Sequence, residues 1–385
     1  MILLEGVTFL VIKSIGFPRM HKEKGEKRDF LPELFEKLKR YKEINIFVEE
    51  GYGTGMGYLP EDYLRKNPNL KFADHNEVYE KDMIVVLRAP EDEEIRMMKR
   101  GSVLLSMLHY DTRPLRNKLL EQRGIICFSM DSLTDDNNVR MLVNYSGTAR
   151  SGVKVAFNEL RKRMPDFYSP SRRPINVTII GMGAVGLNAV KAFEELSDIE
   201  FFDSNEEVPG IIIRMIPRNI TKDKKLLAPL LKETDILVDA SKRPDPSEII
   251  IPNRLISLLP QHAIILDLSA DPYNDRISPM QVKGIEGIPT GTLDKYVIEP
   301  DDELYNTIPE GVNSENRRVV VSCNAWPGVD PAECMAIYGE QILPFLQVLL
   351  EKDPLSLDIN SDNLYERALV RGNLDYFCHY FSSRR

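Results

Sequence analysis

Short apolar runs alternate along the chain with segments whose apolar residues recur at helical spacing. Residues 6–15 alternate and are rich in β-branched side chains, which predicts a strand. After a charged stretch at 22–29, residues 31–41 place Leu31, Leu34, Phe35 and Leu38 on one helical face. A second strand at 44–49 runs into a glycine cluster, Gly51, Gly53, Gly55 and Gly57, and further buried strands are predicted at 81–88, 103–107 and 125–128. Residues 151–163 have small and apolar residues on one helical face and a basic end. The proline-rich stretch 164–174 reads as a linker, after which strands are predicted at 176–180, 211–216, 236–239, 263–268 and 318–323. A long helix is expected over 331–350, with a kink at Pro344. The segment from Asp353 is polar and then aromatic (Tyr376, Phe377, Tyr380, Phe381), the pattern of a tail that docks onto its domain.

Strands alternating with helices imply βαβ units and parallel sheets covered on both faces. A length of 385 residues suits two domains. The expected α/β architecture is two doubly wound Rossmann-like domains with a cleft between them, joined by long helices. Residues 1–150 with 331–385 would form one domain and 151–330 the other.

Composition narrows the function. A formal charge of −9 lacks the basic field of a nucleic-acid binder. The longest apolar run, 342–350, is interrupted by Pro344 and Gln347, so no membrane span is expected. Residues 1–16 are apolar but carry Glu5 and lack a basic leader, which favours a strand over a signal peptide. Cys127, Cys323, Cys334 and Cys378 show no CxxC pairing, which fits a reducing, cytoplasmic setting and no metal site.

Residues 176–186 read N-V-T-I-I-G-M-G-A-V-G and precede a helical run. Gly181, Gly183 and Gly186 have G-x-G-x-x-G spacing, the turn that lets a pyrophosphate approach the backbone at a helix N-terminus, here Ala184 and Val185. An acid for the adenosine ribose is expected about twenty residues on. Asp203 lies 22 residues after Gly181, behind a short polar strand at 200–202. The better strand, 211–216, ends instead in Pro217, Arg218 and Asn219. On that second reading 198–210 is an insertion, and Arg218 is either a partner for a 2′-phosphate or a solvated charge. NAD and NADP both stay open.

Seven separated motifs, in order, resemble one superfamily: alanine dehydrogenase, the nucleotide-binding subunit of proton-translocating transhydrogenase, and lysine-forming saccharopine dehydrogenase. They are Gly25-Glu26-Lys27-Arg28 with Leu31-Pro32; residues 49–55 (EEGYGTG); Arg88-Ala89-Pro90; and Leu108-His109. The glycine turn, residues 267–271 (DLSAD) and Asn324-Ala325-Trp326-Pro327-Gly328 complete the set. The 21-residue gap from Arg88 to His109 and the Pro-Gly turn resemble alanine dehydrogenase. Residues 136–149, 267–271 and 342–350 look more like saccharopine dehydrogenase. Phe17-Pro18 and residues 48–53 are similar to carboxyethyl-ornithine synthase, an opine-forming relative.

The resemblance implies roles. His109, at a strand end where open α/β sheets bind ligands, matches the catalytic histidine, and imidazole suits proton transfer near neutrality. Arg28 matches the arginine that grips a substrate carboxylate. Arg88 stands where the family carries lysine; a guanidinium holds a carboxylate but does not shuttle protons. Asp271 matches the active-site acid that steers water or amine, while Asp267 reads as structural. Asn324 and Trp326 would line the nicotinamide pocket, with packing an equal reading for the lone tryptophan, and His21, His75, His262 and His379 read as surface residues. The implied activity is NAD(P)-dependent oxidoreduction at a CH–NH or CH–NH2 bond of an amino acid, or of its adduct with a 2-oxo acid. The alternative is a nucleotide-binding regulator or transhydrogenase-like module without amino-acid chemistry. Relatives differ in assembly, so a homo-oligomer is left open.

Overall fold

Among the described residues the strands pair into two six-stranded sheets and one short antiparallel pair. The computed structural model describes residues 2–4, 7–9, 12–204 and 207–382. It divides into two units: Met1–Lys22, Glu26–Asn144 and Pro331–Arg385, and Glu23–Gly25 with Tyr145–Asp330. Strand β1 (Ile2–Leu4) pairs antiparallel with β2 (Val7–Phe9). The single strand expected over 6–15 is therefore split: residues 7–9 form β2, the next strand begins at Ser14, and residues 6, 10 and 11 lie outside the described residues.

The first unit's sheet contains β3 (Ser14–Phe17), β4 (Asn45–Glu49), β5 (Lys71–Ala73), β6 (Met83–Arg88), β7 (Val103–Met107) and β8 (Ile126–Ser129). The order is β5-β4-β3-β6-β7-β8 with every neighbour parallel. In β6 and β7 all but the last residue are buried, as strands covered on both faces require. The order reverses between β3 and β6, so the crevice at their carboxyl ends is the expected ligand position in this sheet. The helix Pro331–Glu351 belongs to the same unit and buries Met335, Ile342, Phe345 and Leu349. The tail folds into helices Leu364–Gly372 and Leu374–Ser382. Phe377 packs on Tyr110 at 5.2 Å and Arg367 reaches Asp136 at 2.5 Å, so this segment docks onto its own unit. The side chains of Tyr380 and Phe381 lie outside the described residues.

The second unit's sheet contains β9 (Ile175–Ile180), β10 (Ile211–Ile216), β11 (Ile236–Asp239), β12 (Ile264–Asp267), β13 (Val297–Ile298) and β14 (Val319–Ser322). The order is β10-β9-β11-β12-β14-β13, parallel except for the edge strand β13. Alternate residues feed separate cores: Val177, Val238, Leu266 and Val321 lie in one, and Leu237, Ile265 and Val320 in the other. That period of two, apolar on both faces, is why these strands read as continuous apolar runs.

Three expectations change here. The stretch 164–174 is not a linker, because it lies within the second unit and Phe167 is buried in its core. Nor is 198–210 an inserted loop or strand from its start: the helix Ala184–Leu196 continues through a π-helical turn, Ser197–Phe202, which buries Phe201 and Phe202. Two buried carboxylates in this unit, Asp267 and Asp235, are paired. Asp267 meets Lys283 at 2.7 Å, both side chains being fully buried, and also accepts from Ser269 Oγ, the Ala270 N–H and Ser322 Oγ. Asp235 holds the Arg173 fork at 2.6 and 2.8 Å, His262 at 2.8 Å and the Asn176 N–H. His262 is thus tied to a structural carboxylate and is not a solvated surface residue.

Candidate functional site

In the second unit, β9 runs into Gly181 at φ +107°, where a Cβ would lie 2.4 Å from the Ala240 carbonyl oxygen. Only glycine fits such a conformation and such a close approach. A Cβ on Gly186 would lie 2.4 Å from the Gly181 carbonyl oxygen, so the helix sits directly on the strand end. Gly183 differs. Its backbone is extended, at φ −81° and ψ −174°, and a Cβ there would meet nothing within 4 Å. Among the described residues no side chain caps the helix at Gly183, so the first-turn N–H groups of Ala184 and Val185 are left for an anionic partner.

A cavity of about 300 Å³ opens beside this turn, lined among others by Arg218, Lys242, Arg243, Glu248 and Ile250. It lies over the carboxyl ends of β9, β10 and β11, where the strand order of this sheet reverses, and its volume is at the lower end of ligand pockets. Room in front of Gly183, an uncapped helix and a cationic lining fit the diphosphate of a dinucleotide.

The strand after the helix is β10, in parallel register with β9 from Ile211↔Ile175 to Ile216↔Ile180. Asp203 therefore does not close a strand; it is exposed at the end of the π-helical turn, and Glu200 pairs with Lys154 at 2.9 Å. No acid closes β10. Arg218 lines the cavity and pairs with Glu248 at 2.6 Å, so the acid near this position comes from the loop after β11. Nothing in its sequence position signals Glu248.

Asp271 meets the buried Arg243 at 2.7 Å, and Arg243 also donates to the Glu248 and Val282 carbonyls at 2.8 and 2.7 Å. Asp239, at the end of β11, accepts from Ser241 N–H and Oγ through Oδ1, while its buried Oδ2 has no hydrogen-bond partner among the described residues. Burial, with the Asp267 charge beside it, raises the Asp239 carboxyl to about 6 against those two hydrogen bonds. Asn324 is exposed on the loop after β14. Trp326, open between pocket lining and packing in the sequence, is a core residue: it is buried, donates Nε1–H to the Asp267 carbonyl at 2.6 Å and packs on Tyr296.

In the first unit Arg28, Arg88 and His109 all occupy the carboxyl-terminal edge of the sheet or the segment leading to it. Arg28 is buried, and its Nε and Nη2 donate to Glu26 Oε1 and Oε2 at 2.8 and 2.6 Å. The two-pronged edge expected to grip a substrate is thus taken by Glu26, two residues earlier in the same motif. Arg88 Nη1 lies 3.9 Å from Glu26 Oε2, which brings the two arginines together on one carboxylate. Burial opposes the Glu26 charge, but the Arg28 hydrogen bonds and the two guanidinium charges outweigh it and keep the carboxyl below its usual range. Lys22, unremarked in the sequence, lies near Arg88 and pairs with Glu91. Burial together with the Arg116 and Arg88 charges lowers its pKa against that pairing.

His109 follows β7 in a left-handed conformation, φ 51° and ψ 56°, uncommon for a residue with a side chain. Asp131, just beyond β8, holds it there: Oδ1 accepts the His109 N–H at 3.1 Å, and Oδ2 faces Nδ1 at 3.4 Å. Ser129 Oγ donates to Oδ1 at 2.7 Å. Burial disfavours the Asp131 charge, but the His109 and Ser129 hydrogen bonds win, and the carboxyl is held well below its usual range. Sequence reasoning missed Asp131; the available signal was an acid beyond the strand that follows the histidine.

The surface expectation holds for His21, which is exposed, whereas His75 is half-buried. Both face the buried Glu49, at 2.9 and 3.1 Å. His379 is exposed.

Comparison with known proteins finds the domain described as "Alanine dehydrogenase/PNT, N-terminal domain" at residues 19–149 and its C-terminal counterpart at 169–273. The NAD(P) transhydrogenase subunit alpha of Haemophilus influenzae is 24% identical over 390 residues, covering 93% of this chain and 69% of that protein. Alanine dehydrogenase of Bacillus subtilis is 24% identical over 243 residues, covering 59% of this chain and 62% of that one. Among solved structures, an L-alanine dehydrogenase superposes with a TM-score of 0.67 at 18% identity over 94% of each chain. A transhydrogenase from Sinorhizobium meliloti gives 0.59 at 16% identity, covering 88% of this chain and 94% of that one. Both share this fold.

Proposed function

The chain belongs to the alanine dehydrogenase/PNT family, and from that premise we propose that it is an NAD(P)-dependent oxidoreductase acting on the CH–NH2 bond of an amino acid or the CH–NH bond of an opine- or saccharopine-type adduct. The observation that carries this reading is the glycine turn, with open space before Gly183 and a cationic cavity beside it. The first-turn N–H groups, with Arg218 and Lys242, would hold the phosphates. When bound, the dinucleotide supplies the hydride acceptor or donor.

The protein's own groups would handle charge and protons. With Nδ1 turned to Asp131, His109 is left to exchange protons through Nε2, and Asp131 is a positioning residue that fixes the ring. Arg88 and Arg28 would hold substrate carboxylate, and Glu26 keeps both guanidiniums from drifting. Asp271, oriented by Arg243, would steer the attacking water or amine.

A second reading is a nucleotide-binding module of the transhydrogenase kind. The Arg28–Glu26 pairing and Arg88 in the lysine position favour it. The deciding experiment follows nicotinamide absorbance with NADH or NADPH, pyruvate or 2-oxoglutarate, and ammonium, lysine or ornithine. Turnover that disappears in His109→Ala, with cofactor binding intact, supports the oxidoreductase. Tight nucleotide binding with no turnover on any combination supports the module. Cytoplasmic location and any self-association are part of the proposal; among the described residues no helix is long and apolar enough to cross a membrane.

A further inference from the structure

His21, Glu49 and His75 are far apart in sequence, yet the sheet gathers them at one edge. Glu49 ends β4, His21 follows the neighbouring β3, and His75 opens the short helix His75–Tyr79 after β5. One ligand atom from each lies within 4.8 Å of the others. Glu49 Oε1 faces His21 Nε2 at 2.9 Å, and Oε2 faces His75 Nδ1 at 3.1 Å. Glu49 is buried, so its charge demands compensation, which the Arg19 backbone N–H supplies only in part at 2.8 Å.

We propose that His21, Glu49 and His75 form a binding site for a divalent transition ion of the Zn2+ class. Tetrahedral coordination with bonds of about 2.0–2.1 Å places ligand atoms roughly 3.3 Å apart, close to the two carboxylate–imidazole separations seen here. A cation would replace the ring protons that otherwise bridge to Glu49 and draw together three ligand atoms that already lie within 4.8 Å of one another. Two imidazoles and one carboxylate select borderline ions over Mg2+, which prefers oxygen ligands.

A second carboxylate supports the assignment. His75 presents Nδ1 to Glu49 and, on its far side, Nε2 to Glu94 Oε1 at 3.5 Å. A histidine with one nitrogen aimed at the centre and the other at an outer carboxylate is the arrangement that orients metal-bound imidazole and strengthens it as a ligand. His21 is 44% exposed, which leaves a solvent side for a water to complete the coordination. The ion would tie β3, β4 and the His75 helix together at the carboxyl edge of the first unit's sheet.

The test uses untagged, chelator-treated full-length protein titrated with Co2+, whose d–d absorption reports low-symmetry nitrogen and oxygen ligation. One equivalent should develop the visible band, Zn2+ should displace it, and Mg2+ should not. His21→Ala and His75→Ala should each weaken binding at least about 100-fold, and Glu94→Gln about tenfold or more. Zn2+ should raise the melting temperature of the wild type but not of His21→Ala. Because His21 is half-exposed, its variant decides the matter if His75→Ala fails to fold. Absence of a cobalt band and of a zinc-induced melting shift in the wild type overturns the proposal, as does undiminished metal uptake by His21→Ala.

Discussion

Replacing Gly183 by alanine should separate nucleotide binding from stability, whereas the same change at Gly181 should damage both. Position 183 is extended and a methyl there meets nothing within 4 Å, so the folded state accommodates it. Restricting the unfolded chain makes the change neutral or stabilising by up to about 1 kcal/mol. The methyl would nevertheless stand where a diphosphate approaches the backbone. Overpacking of this kind costs about 1–3 kcal/mol, or roughly 5- to 150-fold in dissociation constant. Position 181 combines a left-handed φ of +107° with a Cβ 2.4 Å from the Ala240 carbonyl. Strain alone costs about 1–3 kcal/mol, and the contact with rigid backbone adds to it. Urea denaturation reads stability, and titration of nicotinamide fluorescence with NADH and NADPH reads binding. Unchanged nucleotide affinity in Gly183→Ala would refute the cradle, and a stability loss matching Gly181→Ala would refute the geometry assigned to it.

Three further outcomes follow from the charged groups. Asp239, raised to about 6, is protonated in the folded state at pH values where the unfolded chain has released that proton, so its contribution to stability falls as pH rises from about 4 to 6. Asp239→Asn should therefore gain about 1–3 kcal/mol over the wild type across that window and hold the gain above it; a pH-independent difference in urea midpoints would count against this assignment. Asp131 is shifted the other way: its ionised form stabilises the fold above its unfolded pKa near 4, and that contribution disappears as pH falls through the lower folded value. Asp131→Asn should cost about 1–2 kcal/mol at neutral pH, flatten the acid limb of the stability curve, and lower kcat more than it raises KM, as expected of a residue that positions His109. At the cofactor cavity, Arg218→Ala should weaken NADPH about 10- to 100-fold while sparing NADH, and Glu248→Gln, by releasing Arg218, should tighten NADPH. Equal effects of Arg218→Ala on both nucleotides would return Arg218 to the role of a solvated charge.

Much of the architecture was legible because parallel strands buried on both faces announce themselves as apolar runs, and because a glycine at φ +107° has no substitute. The residues missed share another property: their partners are set by register between strands. Asp131 reaches His109 because Ser106 pairs with Ser129 across β7 and β8, which brings two strand ends side by side. The His21–Glu49–His75 group needs two consecutive crossovers, β3 to β4 and β4 to β5, before its members meet. Glu26 stood in view within the Arg28 motif, yet a nearby acid in a charged run carries no directional information until the backbone turns it. Trp326 stays open between pocket wall and packing in the sequence, since an aromatic beside a strand end serves either role until its indole N–H is seen satisfied by the Asp267 carbonyl.

The fully buried pairing of Lys283 with Asp267 restricts how this sequence can change over time. Losing either member strands a lone charge away from water and costs about 3–5 kcal/mol, much of a typical domain's margin against unfolding, whereas exchanging both for apolar residues of similar bulk is close to neutral. No single-step substitution at either position leads safely out of the present arrangement. Across related sequences the two positions should therefore be inherited as a couple, kept together or abandoned together.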